Sequence, residues 1–96
     1  MTAPSRVTYR VIIKGRVQGV WFRGWTCDQA QLRGLSGWVR NRRDGDVEAL
    51  FSGSADKVSD MLQACRNGPP AANVLAIETE AAATPPDGAF RQLPSV

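Results

Sequence analysis

The chain of 96 residues has no histidine, only two cysteines and no long apolar run. Each absence removes a class of chemistry. Without histidine there is no Ser/His/Asp triad, no Cys/His pair and no histidine-built metal centre. Cys27 and Cys65 lie far apart and fall two ligands short of a structural zinc site. A cytoplasmic setting predicts that both are free thiols, buried as small apolar side chains. The longest wholly apolar stretches are three or four residues, so no helix is expected to cross a bilayer. The opening residues Met1 to Arg6 lack the apolar stretch of a secretory signal, which also predicts a cytoplasmic location.

Charge is unevenly spread. Residues 1–43 hold nine bases (Arg6, Arg10, Lys14, Arg16, Arg23, Arg33, Arg40, Arg42 and Arg43) against the single acid Asp28, or +8. The remainder holds three bases and eight acids, or −5, which leaves the chain at +3. Arginine makes planar two-pronged contacts with phosphate or carboxylate. Composition alone is equally compatible with a field that draws in an anion and with a solvated basic face.

At this length one hydrophobic core is expected, over residues 7–96, behind a loose tail at 1–6. Val7, Tyr9, Val11 and Ile13 alternate with polar neighbours and predict a strand. A glycine-bearing turn from Gly15 to Trp21 follows. Phe22 to about Arg33 reads as a helix, with Phe22, Trp25, Thr26, Gln29 and Ala30 on its apolar stripe and Gly34 as a left-handed C-terminal cap. Leu35 to Arg42 predicts a second strand, and Asp44-Gly45 a hairpin turn into a third at 47–52. Ser54 is the expected N-cap of a second helix carrying Val58, Met61, Leu62 and Cys65 on one stripe. Gly68-Pro69-Pro70 stops it. A fourth strand, with Ile77 and Thr79 facing inward, runs from Val74 to Glu80, and residues 89–93 form a short last strand.

The order β-α-β-β-α-β predicts an α+β, ferredoxin-like sandwich. Its antiparallel sheet has strand order 4-1-3-2, with both helices on one face. In that order the exit of the first strand, residues 14–22, lies at the same end of the sheet as Asn41.

That exit is where anion chemistry is expected. Backbone amides of Gln18, Gly19, Val20, Trp21, Phe22 and Arg23 run from a turn into a helix N-terminus. Such amides converge on anions, and the helix dipole adds partial positive charge. Arg23, in the first helical turn, adds a charged fork, and Arg16 stands at the rim. Only three residues separate Gly15 from Gly19, so this is not a Walker A loop. On these residues alone an ordinary strand–helix connection remains open.

Gly15-Arg16-Val17-Gln18-Gly19-Val20-Trp21-Phe22-Arg23 resembles the signature of the acylphosphatase family. Gly37-Trp38-Val39-Arg40-Asn41, followed by Asp44-Gly45 and Val47-Glu48, resembles its second signature, in the same order and spacing. Thr26, Gly34-Leu35 and Gly68-Pro69-Pro70 also match, so the likeness covers residues 7–93. It implies metal-free, cofactor-free hydrolysis of the carboxyl–phosphate bond of acyl phosphates. It implies that Arg23 stands at the family's phosphate-binding arginine and Asn41 at its water-positioning asparagine. Inorganic phosphate or sulfate is then the expected site anion and a small-molecule acyl phosphate the partner, with no role for membrane or nucleic acid; the small size of the chain favours a monomer. The sequence departs from the family pattern at Arg33, where an apolar residue is usual. Gly24 costs its helix about 1 kcal/mol relative to alanine.

Two other readings compete. One is a non-catalytic anion-binding module of the same fold. The other is an RNA-binding module, which needs stacking aromatics on its central strands. The third strand, Val47-Glu48-Ala49-Leu50-Phe51, has no such run.

Overall fold

Alternating and helical apolar patterns each bury one face, and the elements take the expected order. The computed structural model describes residues 5–86 and 88–96. It contains β1 (Arg6–Arg16), α1 (Phe22–Leu32), β2 (Ser36–Asn41), β3 (Val47–Ser54), α2 (Ala55–Asn67), β4 (Asn73–Ala81) and β5 (Arg91–Gln92). The strands lie side by side as β4-β1-β3-β2-β5. The expected 4-1-3-2 core is therefore present, with all its ladders antiparallel. β5 departs from the antiparallel expectation by adding parallel to β2, through Trp38 opposite Arg91 and Val39 opposite Gln92. The sheet is thus mixed.

Both helices cover one face of the sheet. Phe22 and Ala30 of α1 and Val58, Met61 and Cys65 of α2 pack on Val11, Ile13, Val39, Val47, Ala49 and Phe51. Phe90, just before β5, stacks on Phe51 with ring centroids 5.5 Å apart. One register position sets the geometry of the sheet end. Val47 lies opposite Ile13 on one side and Asn41 on the other. The end of β2 and the exit of β1 therefore share one edge of the sandwich.

α1 closes as its sequence predicts. Gly34 adopts φ 68°, the Leu35 amide donates to the Ala30 carbonyl and the Gly34 amide to that of Gln31. This paired bonding satisfies carbonyls that a helix end would leave bare. Arg33, the departure from the family pattern, ties the helices together. Its Nε donates to Asp60 on α2 at 2.8 Å, and its Nη1 to the Gln29 side chain at 2.8 Å. Leu32 beside it is exposed.

The structure refines several local expectations. Thr79 shares the parity of Ile77 but is exposed on the edge strand β4. Ser54 occupies the N-cap of α2 without a side-chain cap bond, and the Ala55 amide donates instead to the Ser5 carbonyl. The tail expected over 1–6 lies mostly outside the described residues, and Arg6 already pairs with Ser54 in β1. Cys65 is buried, whereas Cys27 is only half-buried and reaches the Phe90 carbonyl. The Thr26 hydroxyl is buried and has no partner among the described residues.

Ion pairs within the fold explain where much of the positive charge goes. Arg10, Lys14, Arg33, Arg40 and Arg42 each meet a carboxylate from the acidic second half of the chain. Glu48, 3% exposed, takes Arg10 Nε at 2.6 Å and Arg40 Nε at 2.7 Å. Arg40 also lies over the Trp38 ring at 4.8 Å. Burial by itself raises the Glu48 carboxyl. The hydrogen bonds and charges of Arg40 and Arg10 outweigh that and hold it below the usual carboxylate value. A carboxyl depressed by folding stabilises the protein above its unfolded value and loses that contribution as pH falls through the folded one. Glu48→Gln is therefore expected to cost about 1–3 kcal/mol near neutrality, discounted because both arginines remain partly exposed. In urea melts the gap from wild type should shrink once pH falls below about 4.

Candidate active site

The connection from β1 to α1 turns on two residues with left-handed backbone. Gly19 takes φ 73° without cost, and Trp21 takes φ 67° at the N-cap position of α1. These two residues turn the chain from β1 into α1. No side chain caps the helix N-terminus and no acidic residue stands in the first turn. The first bond of the helix is Trp25 N to Trp21 O at 3.0 Å, so the amides of Phe22, Arg23 and Gly24 precede the ladder. Gly24 now has a reason. A Cβ there would overlap the Trp21 indole, which lies across it. The propensity lost at Gly24 makes room for the ring that forms the cleft wall.

A cleft of about 160 Å³ opens at this point, lined by Val17, Gly19, Trp21, Phe22, Arg23, Gly24, Asn41 and Gln92. Arg23 and Asn41, 18 positions apart in sequence, thus face the same space from α1 and from the end of β2. No carboxylate or carbonyl among the described residues engages the Arg23 guanidinium or the Asn41 amide. The Asn41 backbone is held by its own carbonyl, which accepts the Val96 amide at 3.0 Å. Arg23 therefore differs from Arg10, Arg33, Arg40 and Arg42, whose charges are matched within the protein. The broad basic field read from composition is thus matched in part by carboxylates, while the cleft keeps the charge of Arg23.

Of the predicted cradle residues, Gly19, Trp21, Phe22 and Arg23 line the cleft, and Gln18 and Val20 do not. The Gln18 side chain instead reaches the β2–β3 hairpin, donating to the Arg42 and Asp46 carbonyls. Trp21 is exposed at the mouth, and Trp25 packs edge-on against Phe22. Gln92 is not legible in the sequence, since its place depends on a two-residue parallel pairing. Val17 could have been suspected from its apolar side chain amid the polar turn.

Neither thiol competes as a nucleophile. Burial pushes Cys65 up to about 12, and burial followed by the charge of Asp28 raises Cys27, so thiolate is scarce at neutral pH. A larger hollow of about 390 Å³ lies toward the opposite end of β2, against Gly37, Trp38 and Pro86. It lacks the helix N-terminus and Asn41. Among the described residues no group of three acidic or cysteine side chains could hold a metal ion. No helix among them is long and apolar enough to cross a membrane. The open faces of β1 and β3 present Arg10, Ile12, Glu48 and Leu50 where an RNA-binding sheet would offer stacking rings.

An α+β sandwich of the ferredoxin-like type, with an arginine and uncapped amides at one end of its sheet, defines a class of small anion-handling domains. Comparison with known proteins narrows that class. The acylphosphatase family profile matches residues 9–92. An acylphosphatase of Rhizorhabdus wittichii is 50% identical over 93 residues, covering 97% of this chain and 94% of its own. One from Nitrobacter hamburgensis is 53% identical over 96 residues, covering 94% and 97%. The solved structure of an acylphosphatase from Coxiella burnetii superposes with a TM-score of 0.89 at 32% identity, covering 97% of this chain and 100% of that one. The chain belongs to the acylphosphatase family.

Proposed function

We propose that this chain hydrolyses the carboxyl–phosphate bond of acyl phosphates through Arg23, Asn41 and the amide cradle of residues 18–23. The family supplies the reaction, and the single observation that carries the mechanism is the shared cleft of Arg23 and Asn41 beside an uncapped helix N-terminus.

The chemistry suits such a site. The leaving carboxylate has a low pKa and needs no general acid. Phosphoryl transfer passes through a loose transition state with charge spread over the equatorial oxygens. Positioning and prearranged positive charge then supply most of the catalysis. The Arg23 fork and the cradle amides hold the phosphoryl oxygens. The Asn41 amide orients one water in line with phosphorus. The water oxygen bonds to phosphorus as the bond from phosphorus to the acyl oxygen breaks, and the water proton passes to a phosphoryl oxygen. Carboxylate and inorganic phosphate leave. Asn41 has no accessible titration and serves only to orient. No metal is required, because the guanidinium and the amides carry the positive charge.

A monomer is the proposed working unit, in keeping with the small size of the chain. The two free thiols fit a cytoplasmic setting. The domain is taken as one unit over residues 7–96.

Benzoyl phosphate tests the reading directly. Turnover with a metal chelator present is expected, with oxygen from labelled water appearing in phosphate and not in benzoate. Folded protein that binds inorganic phosphate without turning over benzoyl phosphate would instead identify a non-catalytic anion-binding module.

A further inference from the structure

We infer that the Gln18 side chain is a positioning residue that locks the phosphate cradle to the strand end carrying Asn41. The inference rests on the roles proposed above for Arg23 and Asn41, and it concerns the side chain of Gln18, not its backbone amide.

The sheet does not make this connection by itself. Pairing of β1 with β3 ends at Ile13 opposite Val47, and beyond it β1 pairs only with β4, across a register shift at Lys14 and Gly15. The turn after β1 has no ladder to the hairpin bearing Asn41. Gln18 supplies the link. Its Nε2 donates to the Arg42 carbonyl at 2.7 Å and to the Asp46 carbonyl at 2.9 Å. These are the residues immediately after Asn41 and immediately before Val47. The hairpin neck is already closed by the Arg42 amide on the Asp46 carbonyl at 2.9 Å and the Gly45 amide on the Arg42 carbonyl at 3.2 Å. The only other bridge from β1 to this neck among the described residues is the Lys14–Asp46 ion pair, at 4.0 Å.

The chemistry of the contact is selective. Two carbonyls demand two N–H donors on one nitrogen, which a primary amide has and a carboxylate lacks. The contact lies outside the cleft, so it touches neither phosphate nor water. It sets the distance between them. Misplacing reacting groups by about 1 Å costs roughly 100-fold in rate. An amide cradle that keeps its shape still binds phosphate.

Gln18→Met keeps the length and removes both donors. It is expected to lower kcat about 10- to 100-fold while the Kd for inorganic phosphate rises less than about threefold. Gln18→Glu turns a carboxylate toward two carbonyls. It should lose more than Gln18→Met near neutrality and regain part of its kcat relative to wild type as acidification restores one donor.

The deciding measurement is a cycle with Asn41→Ala, with folding of every variant checked by thermal melts. In the Asn41→Ala background, Gln18→Met should cost less than about threefold, because the water it aligns is already lost. Losses that multiply, or a phosphate Kd that worsens as much as kcat falls, would reduce Gln18 to a structural contact and overturn the inference alone. Wild-type kcat in Asn41→Ala by itself would overturn the Asn41 reading instead, and this inference with it. Should Gln18→Met not fold, Gln18→Asn, which keeps the donors one methylene short, enters the same cycle.

Discussion

Arg23→Ala is expected to remove measurable turnover of acyl phosphates and to weaken binding of inorganic phosphate. The guanidinium lines the cleft and spends none of its hydrogen bonds on described protein partners. Its loss removes a full positive charge and a planar fork from a site whose remaining donors are neutral amides. Loss of one prearranged donor of this kind costs on the order of 100- to 1000-fold in kcat. Arg23→Lys should recover part of the binding and little of the rate, since an ammonium keeps the charge and loses the two-pronged geometry. Benzoyl phosphate kinetics and calorimetric titration with phosphate measure both effects. Retention of more than about a tenth of wild-type kcat in Arg23→Ala would remove that residue from the mechanism.

Asn41→Ala should separate the two functions of the cleft. Its side chain faces the same space but carries no charge, so inorganic phosphate should bind nearly as in wild type. Turnover should fall on the order of 100- to 1000-fold, because the attacking water loses its orientation. The backbone at this position is held by β3 and by the Val96 amide, so truncation of the side chain should leave the fold in place. Equal losses of phosphate affinity in Asn41→Ala and Arg23→Ala would contradict the division of labour between them.

Much of this site is legible in the sequence. The two signatures point to Arg23 and Asn41. The order of strands and helices then puts the exit of β1 and the end of β2 at one edge, and the common partner Val47 realises that placement. Contacts between segments whose register is set by the whole sheet are not legible in this way. Glu48 reads as an outward strand residue, yet two arginines from β1 and β2 close over it. Arg33 reads as a flaw in the helix stripe, yet it joins α1 to α2. Gly24 reads as a weak helix position, yet the Trp21 ring lies against it where a Cβ would have to displace the ring.

The sequence by itself determined the elements, their order and the two side chains, Arg23 and Asn41, that the fold brings to one cleft. Those depend on local periodicity, on turn chemistry and on short connections that leave few ways to stack two helices on four strands. Only the tertiary structure decided which charges are matched and which side chain bridges cradle to hairpin. It also decided that Gln92 enters the cleft. Pairing of that kind depends on strand register across tens of residues, where a shift of one position turns every side chain to the other face.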